Sequence, residues 1–158
     1  MSESTLFSSL GKQINNYYNF GQSDGDGFGG QFIVYNQVTI THAAFKIFRG
    51  GTPTGSIVAR IYTSLGAFQD QQAKAGTLIA ESTNTVDVST IPTVPTDVSF
   101  TFNSVVLAPG IYFQVVFSAA IDRSNGNLEI ARTTDGGTQF GYPTIYYSGV
   151  WNSWWDWN

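Results

Sequence analysis

The sequence contains no cysteine, and only 11% of its 158 residues are charged. Without cysteine the chain forms no disulfide, iron–sulfur cluster or thiolate zinc site. No run approaches the ~20 apolar residues that a membrane helix needs. The seven Lys and Arg residues are scattered along a chain of net charge −4, so there is no basic stripe for nucleic acid. The sequence therefore predicts neither a membrane nor a nucleic-acid partner.

The composition is typical of extracellular or virion-exposed β-proteins. Apolar residues make up 42% of the chain, enough for the core of a single domain over 1–158. With so few charges, the polar surface must come from Ser, Thr, Asn, Gln and Gly. The first 18 residues lack the basic and apolar regions of a signal peptide. A phage structural protein, assembled in the cytoplasm and released by lysis, reconciles these observations. The alternatives are a domain whose leader was removed and a cytosolic protein with a polar surface.

Alternation of apolar and polar residues is the dominant pattern, and helical periodicity is nearly absent. Residues 43–48, 56–62, 97–102 and 110–117 all alternate. In 56–62, one face carries Ile57, Ala59 and Ile61, and the other carries Val58, Arg60 and Tyr62. Such alternation predicts half-buried antiparallel sheets, because successive side chains point to opposite faces.

Turn signals separate these segments, and eight to ten short strands are expected. Strands of this number and spacing predict an all-β fold, a two-layer antiparallel β-sandwich of jelly-roll type. Residues 1–20 are expected to form an N-terminal arm or short strand, and residues 149–158 an aromatic C-terminal strand or tail. Residues 64–76 and 84–96 are interpreted as long connections, the second because it contains Pro92 and Pro95.

Several segments resemble choice-of-anchor domains, the β-sandwich modules that accompany surface anchors in exported bacterial proteins. The most specific are the Pro53–Gly55 turn before a strand ending in Tyr62, and the Leu107–Tyr112 segment that opens another strand. The resemblance covers 28–151, and the chain departs from it in having no signal peptide and no anchor. It implies a sandwich fold and a display or adhesion role without a catalytic centre, and it transfers no site residues.

The most unusual feature is that all four tryptophans fall in the last eight residues. We call residues 149–158 the aromatic C-terminal segment. Its rings are interpreted as core, as anchors in a protein contact, or as a platform for sugar rings helped by nearby tyrosines. The candidate partner- or sugar-binding residues are Trp151, Trp154, Trp155, Trp157, Tyr146 and Tyr147. Free exposure of so large an apolar patch is the least favoured arrangement, because such patches usually mark an interface.

Two further patterns are candidate chemical sites. Asp24 and Asp26 alternate with glycines as in the first half of a calcium loop, so calcium is the candidate cofactor, although the acidic residue that ends such a loop is missing. A small hydrolase would have to use the single histidine, His42, or pair Glu81 with Glu129. No G-x-S-x-G motif supports the hydrolase, so we expect no enzymatic activity.

These observations predict a non-enzymatic structural or binding protein. The first hypothesis is a phage virion component, either a capsid decoration (cement) protein or a tail or fibre module. Its partners would be capsid or tail subunits and copies of itself, and its location the virion surface. The alternative is a carbohydrate-binding module or surface adhesin domain that is extracellular and binds glycans.

Overall fold

The structure, a computed structural model, describes residues 16–20, 27–70, 72–122, 124–132, 140–147 and 150–153. In these ranges the chain forms eleven strands and one short 3-10 helix, η1 (Val88–Thr90). The strands are β1 (Asn16–Phe20), β2 (Gly27–Val34), β3 (Val38–Gly51), β4 (Thr54–Leu65), β5 (Lys74–Glu81), β6 (Val86–Asp87), β7 (Thr96–Leu107), β8 (Gly110–Asp122), β9 (Gly126–Arg132), β10 (Phe140–Tyr147) and β11 (Val150–Ser153).

The strands form two antiparallel sheets, which confirms the predicted all-β, two-layer sandwich. The small sheet has the order β1-β9-β3-β7, and the large sheet has the order β11-β10-β2-β8-β4-β5, with β6 also paired to β4. Side chains from both sheets share one core, whose largest fully buried members include Phe100, Ile47, Ile57, Leu107 and Leu128. In β3 and β7, alternation correctly placed the residues that face this core.

The large sheet differs from the half-buried sheet that alternation predicts. In β4, Ile57 and Ile61 join the main core, yet Val58 and Tyr62 on the opposite face are also only 8% and 7% exposed. They pack in a second cluster with Ala73, Ala75, Phe113, Val115 and Phe117. The two end strands of this sheet, β5 and β11, approach within 8 Å between Cα atoms. The sheet therefore curls, and the expectation of one solvated face is wrong for β4 and β8.

Strand β10 is irregular at one place, where a backbone feature interrupts its pairing. It runs without a break over residues 140–147. Its register against β2 shifts between Phe140 and Pro143. Proline has no N–H to give to the ladder, which accounts for an irregularity at this place. At the other end of the chain, the predicted N-terminal arm contains β1, which pairs with β9.

The segment after β5 connects the two sheets and covers the edge of β7. Ser82 N–H donates to the Ala59 carbonyl at 2.8 Å in the large sheet. Thr83 N–H donates to the Thr101 carbonyl at 2.7 Å in the small sheet, and Thr101 N–H donates to Asn84 Oδ1 at 2.7 Å. Exposed edge strands are templates for unwanted pairing, and these bonds occupy the edge at Thr101.

Candidate functional site

Three of the six predicted contact residues lie in the described part of the chain, and all three are in the β10–β11 hairpin. Tyr146 pairs with Trp151, and Tyr147 pairs with Val150. The other three, Trp154, Trp155 and Trp157, lie outside the described residues. The structure thus brings the start of the aromatic C-terminal segment beside the predicted tyrosines.

The backbone register extends this hairpin into a row across the large sheet. Tyr146 pairs with Gly27 of β2, and Gly27 pairs with Phe117 of β8. Phe117 in turn pairs with Val58 of β4. Directly opposed residues lie on the same face of a sheet. The row from Trp151 to Val58 therefore links the hairpin to the face that carries the second cluster.

Arg60 and Glu81 provide the charges on this face. A Cβ atom at Gly27 would lie 2.6 Å from Phe117 Cε2, so the Phe117 ring covers the β2 backbone where no side chain intervenes. The Arg60 guanidinium carbon lies 4.4 Å from the centroid of that ring, a cation–π distance. Arg60 Nε donates to Glu81 Oε2 at 2.6 Å. Together Phe117, Arg60 and Glu81 form what we call the aromatic–ionic group.

The aromatic–ionic group offers polar contacts to a partner, because its two charged side chains are partly exposed while Phe117 is only 6% exposed. The side chains of Arg60 and Glu81 are 28% and 44% exposed. Burial works to lower the pKa of Arg60, but hydrogen bonds to Glu81 and Tyr62 raise it, and the net direction is upward from an already high value. Arg60 is therefore a permanent cation. A cation and a carboxylate beside an aromatic ring can bind the polar groups of a protein surface or the hydroxyls of a sugar.

We expect Arg60→Met to cost about 1 kcal/mol of unfolding free energy, because it removes a partly exposed cation–π contact and an ion pair. The matched control is Lys46→Met, which removes only the ion pair between Lys46 Nζ and Asp97 Oδ1 at 2.8 Å. Urea unfolding at low and high salt is the measurement. An Arg60 loss no larger than the Lys46 loss would show that the cation–π contact contributes nothing.

A buried glutamine fixes the loop at one end of this face. Gln31 is fully buried, and its Nε2 donates to Ser64 Oγ and to the Ala67 carbonyl, both at 3.0 Å. Its Oε1 accepts from Gln69 N–H at 3.0 Å. Gln69 has φ 61°, a conformation uncommon outside glycine. The amide of Gln31 thus supplies the partners that hold the loop in this shape.

The loop that Gln31 holds, residues 66–73, covers part of the second cluster. Asp70 N–H donates to the Ala67 carbonyl at 3.2 Å, and Ala73 N–H donates to the Asp70 carbonyl at 3.1 Å. These two successive turns bring Ala73 onto the sheet, where it is 4% exposed. The sequence predicted a long connection here but gave no sign that it folds back onto the sheet.

The residues considered for metal binding and hydrolysis fall in separate places. Asp24 and Asp26 lie outside the described residues, and within the described ranges no group of three His, Asp or Glu side chains is arranged to hold a metal. His42 is exposed, with its Nδ1 3.0 Å from Thr41 Oγ1. Glu81 belongs to the large sheet and Glu129 to the small sheet.

Sequence reasoning missed Gln31 and Phe117 as site residues, and it weighed Glu81 only as a catalytic group. One available signal was Arg60, the single charge within an otherwise apolar strand segment, since a charge in such a place needs a partner.

The described residues include no helix of the length and hydropathy required to span a membrane. Comparisons with protein-family models, curated proteins and solved structures found no match for this chain.

Proposed function

We propose that this protein is a non-enzymatic structural component of a phage virion, either a capsid decoration protein or a tail or fibre module. It would act at the virion surface through contacts with capsid or tail subunits and with its own copies. The single observation that carries the proposal is the strand order. The small sheet, β1-β9-β3-β7, packs against the part of the large sheet formed by β2-β8-β4-β5. From β1 to β9, each strand lies in the other sheet from the strand before it, except that β4, β5 and β6 all lie in the large sheet.

We interpret this order as a jelly roll, in which two Greek keys are interleaved over eight strands. Jelly rolls are the architecture of many viral capsid and lectin domains. A fold hosts many functions, and the C-terminal hairpin adds support for this one. The β10–β11 hairpin is additional to those eight strands and extends the large sheet beyond β2. Its second strand, β11, lies within the aromatic C-terminal segment.

An added hairpin that ends in tryptophans fits a contact element. Tryptophan is the residue type most enriched among interface hot spots. The low charge of the chain, 11% of its residues, also suits a surface that must pack against other subunits without burying unpaired ions.

The direct experiment is quantitative mass spectrometry of purified virions from the source, combined with co-sedimentation of the purified protein with them. We expect the protein in a copy number matching a symmetric position, and saturable binding to virions. A strictly monomeric protein that is absent from virions and does not sediment with them would contradict the proposal.

The second candidate function is carbohydrate binding, which the aromatic–ionic group specifically favours. It puts a permanent cation and a carboxylate, both partly exposed, beside Phe117, which shares a register row with Tyr146 and Trp151. A glycan array, with and without calcium, tests it against the Arg60→Met variant. Hits that the variant loses would support glycan binding, and an array without hits would remove it.

A further inference from the structure

The turn between β8 and β9 contains Asn125-Gly126, the one Asn-Gly pair in the sequence. We propose that Asn125 is a site of spontaneous deamidation, in which water converts its side-chain amide to a carboxylate through a cyclic imide. The residue is exposed on the turn. Its Nδ2 donates to Ser124 Oγ at 3.3 Å, the single side-chain hydrogen bond that the structure gives it within the described residues. The amide is therefore held weakly and is accessible to water.

The reaction balances without any oxidant or reductant. The main-chain nitrogen of Gly126 loses its proton and bonds to Cγ of Asn125. The bond from Cγ to Nδ2 then breaks, and the nitrogen leaves as ammonia. Water opens the resulting five-membered imide at either carbonyl and gives aspartate or isoaspartate. Glycine favours the first step, because no side chain crowds the attacking nitrogen.

The fold requires this glycine and so preserves the susceptible pair. A Cβ atom at Gly126 would lie 2.6 Å from Pro53 Cδ and 2.8 Å from Thr52 N, and closer still to the Gly50 carbonyl oxygen. These are backbone and ring atoms of the neighbouring β3–β4 turn, which cannot move away as a flexible side chain can. Substitution of Gly126 would therefore remove the reaction only by disturbing the packing of two turns.

Other asparagines in the described chain are held differently and serve as internal comparators. Asn84 uses both ends of its amide, since Oδ1 accepts from Thr101 N–H at 2.7 Å and Nδ2 donates to the Ser99 carbonyl at 3.2 Å. Asn127 donates to Glu129 Oε1 at 3.3 Å. The residues that follow these two asparagines, Thr85 and Leu128, both carry side chains.

Isoaspartate at this position would weaken the contact between the two turns. The Asn125 carbonyl accepts from Thr52 N–H at 2.8 Å. Isoaspartate routes the main chain through the former side chain, adds one carbon to it and turns this carbonyl into a free carboxylate, so the alignment with Thr52 N–H is lost. We therefore expect aged protein to unfold more easily, beginning at the end of the sandwich that holds these turns.

The test is timed incubation of the full-length protein in mildly alkaline buffer, followed by peptide mapping that separates asparagine, aspartate and isoaspartate. We expect conversion at Asn125 to be at least an order of magnitude faster than at Asn84 or Asn127, with isoaspartate among the products. The matched variant Asn125→Gln should keep its unfolding midpoint while the midpoint of the wild type falls.

Two results would overturn the proposal. One is an unchanged Asn125 in the folded protein, measured beside a urea-unfolded sample in which it converts, because the fold would then protect the residue. The other is conversion at Asn84 or Asn127 at the rate seen for Asn125.

Discussion

Replacing Gln31 with methionine is expected to lower the unfolding free energy by about 2–3 kcal/mol, because it removes the three hydrogen bonds through which the buried Gln31 amide holds loop 66–73. Methionine fills a similar volume but cannot bond the Ala67 carbonyl or Gln69 N–H. Loop 66–73 would then lose its attachment to the sheet. Urea unfolding gives the free-energy change, and amide hydrogen exchange at Gln69 reports on the loop directly.

The control for this prediction lies in the same loop. Gln72 is exposed, and its main-chain N–H, which methionine keeps, donates to Asp70 Oδ1 at 2.9 Å. Gln72→Met should therefore change the unfolding free energy by no more than about 0.5 kcal/mol. The hydrogen bonds of Gln31 do not hold the loop if Gln31→Met changes the unfolding free energy as little as Gln72→Met does, and amide hydrogen exchange at Gln69 stays slow.

Replacing Gly29 with alanine is expected to cost about 3 kcal/mol or more, at the upper end for an overpacked site. A Cβ atom there would lie 2.6 Å from Val115 Cα and closer still to the Gln114 carbonyl oxygen. Both are main-chain atoms of β8, so β2 and β8 would have to separate along the centre of the large sheet. The unfolding midpoint, the yield of folded protein and near-ultraviolet circular dichroism all report the effect.

Gly110→Ala is the matched control, since it changes a glycine at the start of β8. The nearest atom to its added Cβ would be Tyr112 Oη at 3.3 Å, the tip of a side chain that needs to shift by only a few tenths of an ångström. We expect a cost within about 1 kcal/mol. Equal effects of the two substitutions would show that the close approach of β2 to β8 does not limit this sheet.

Much of the fold follows from local alternation, and the exceptions have a common cause. The predicted alternation of 43–48 and 97–102 matches one core face of β3 and β7, which includes Ala43, Val98 and Phe100. Val58 and Tyr62, which the same alternation places on the face opposite Ile57 and Ile61, are buried as well. Their burial depends on a loop and on the curl of the sheet, contacts between distant parts of the chain that no local period encodes.

The candidate site was less predictable than the fold for the same reason. Composition drew attention to the tryptophans and to Tyr146 and Tyr147, but not to the residues that would accompany them. Arg60 stacks on Phe117, its diagonal neighbour on β8, and β8 lies two strands from β10. Which residue is the neighbour of Arg60 depends on strand order and register, which the local sequence does not give. The buried role of Gln31 likewise depends on loop 66–73, which is more than 30 positions away. The choice-of-anchor resemblance and the calcium site stay predictions.

The central claim is that the aromatic C-terminal segment is an assembly element. Sedimentation velocity of the wild type beside a chain ending after Ser153 tests it most directly, because that truncation keeps β11 and removes Trp154, Trp155 and Trp157. A second chain ending after Ser148 removes β11 as well and measures what the hairpin contributes to folding. The account predicts an oligomeric wild type and a folded, monomeric chain ending at Ser153. It would be contradicted if both were monomers, or if the chain ending at Ser153 failed to fold, since the tryptophans would then belong to the protein's own core.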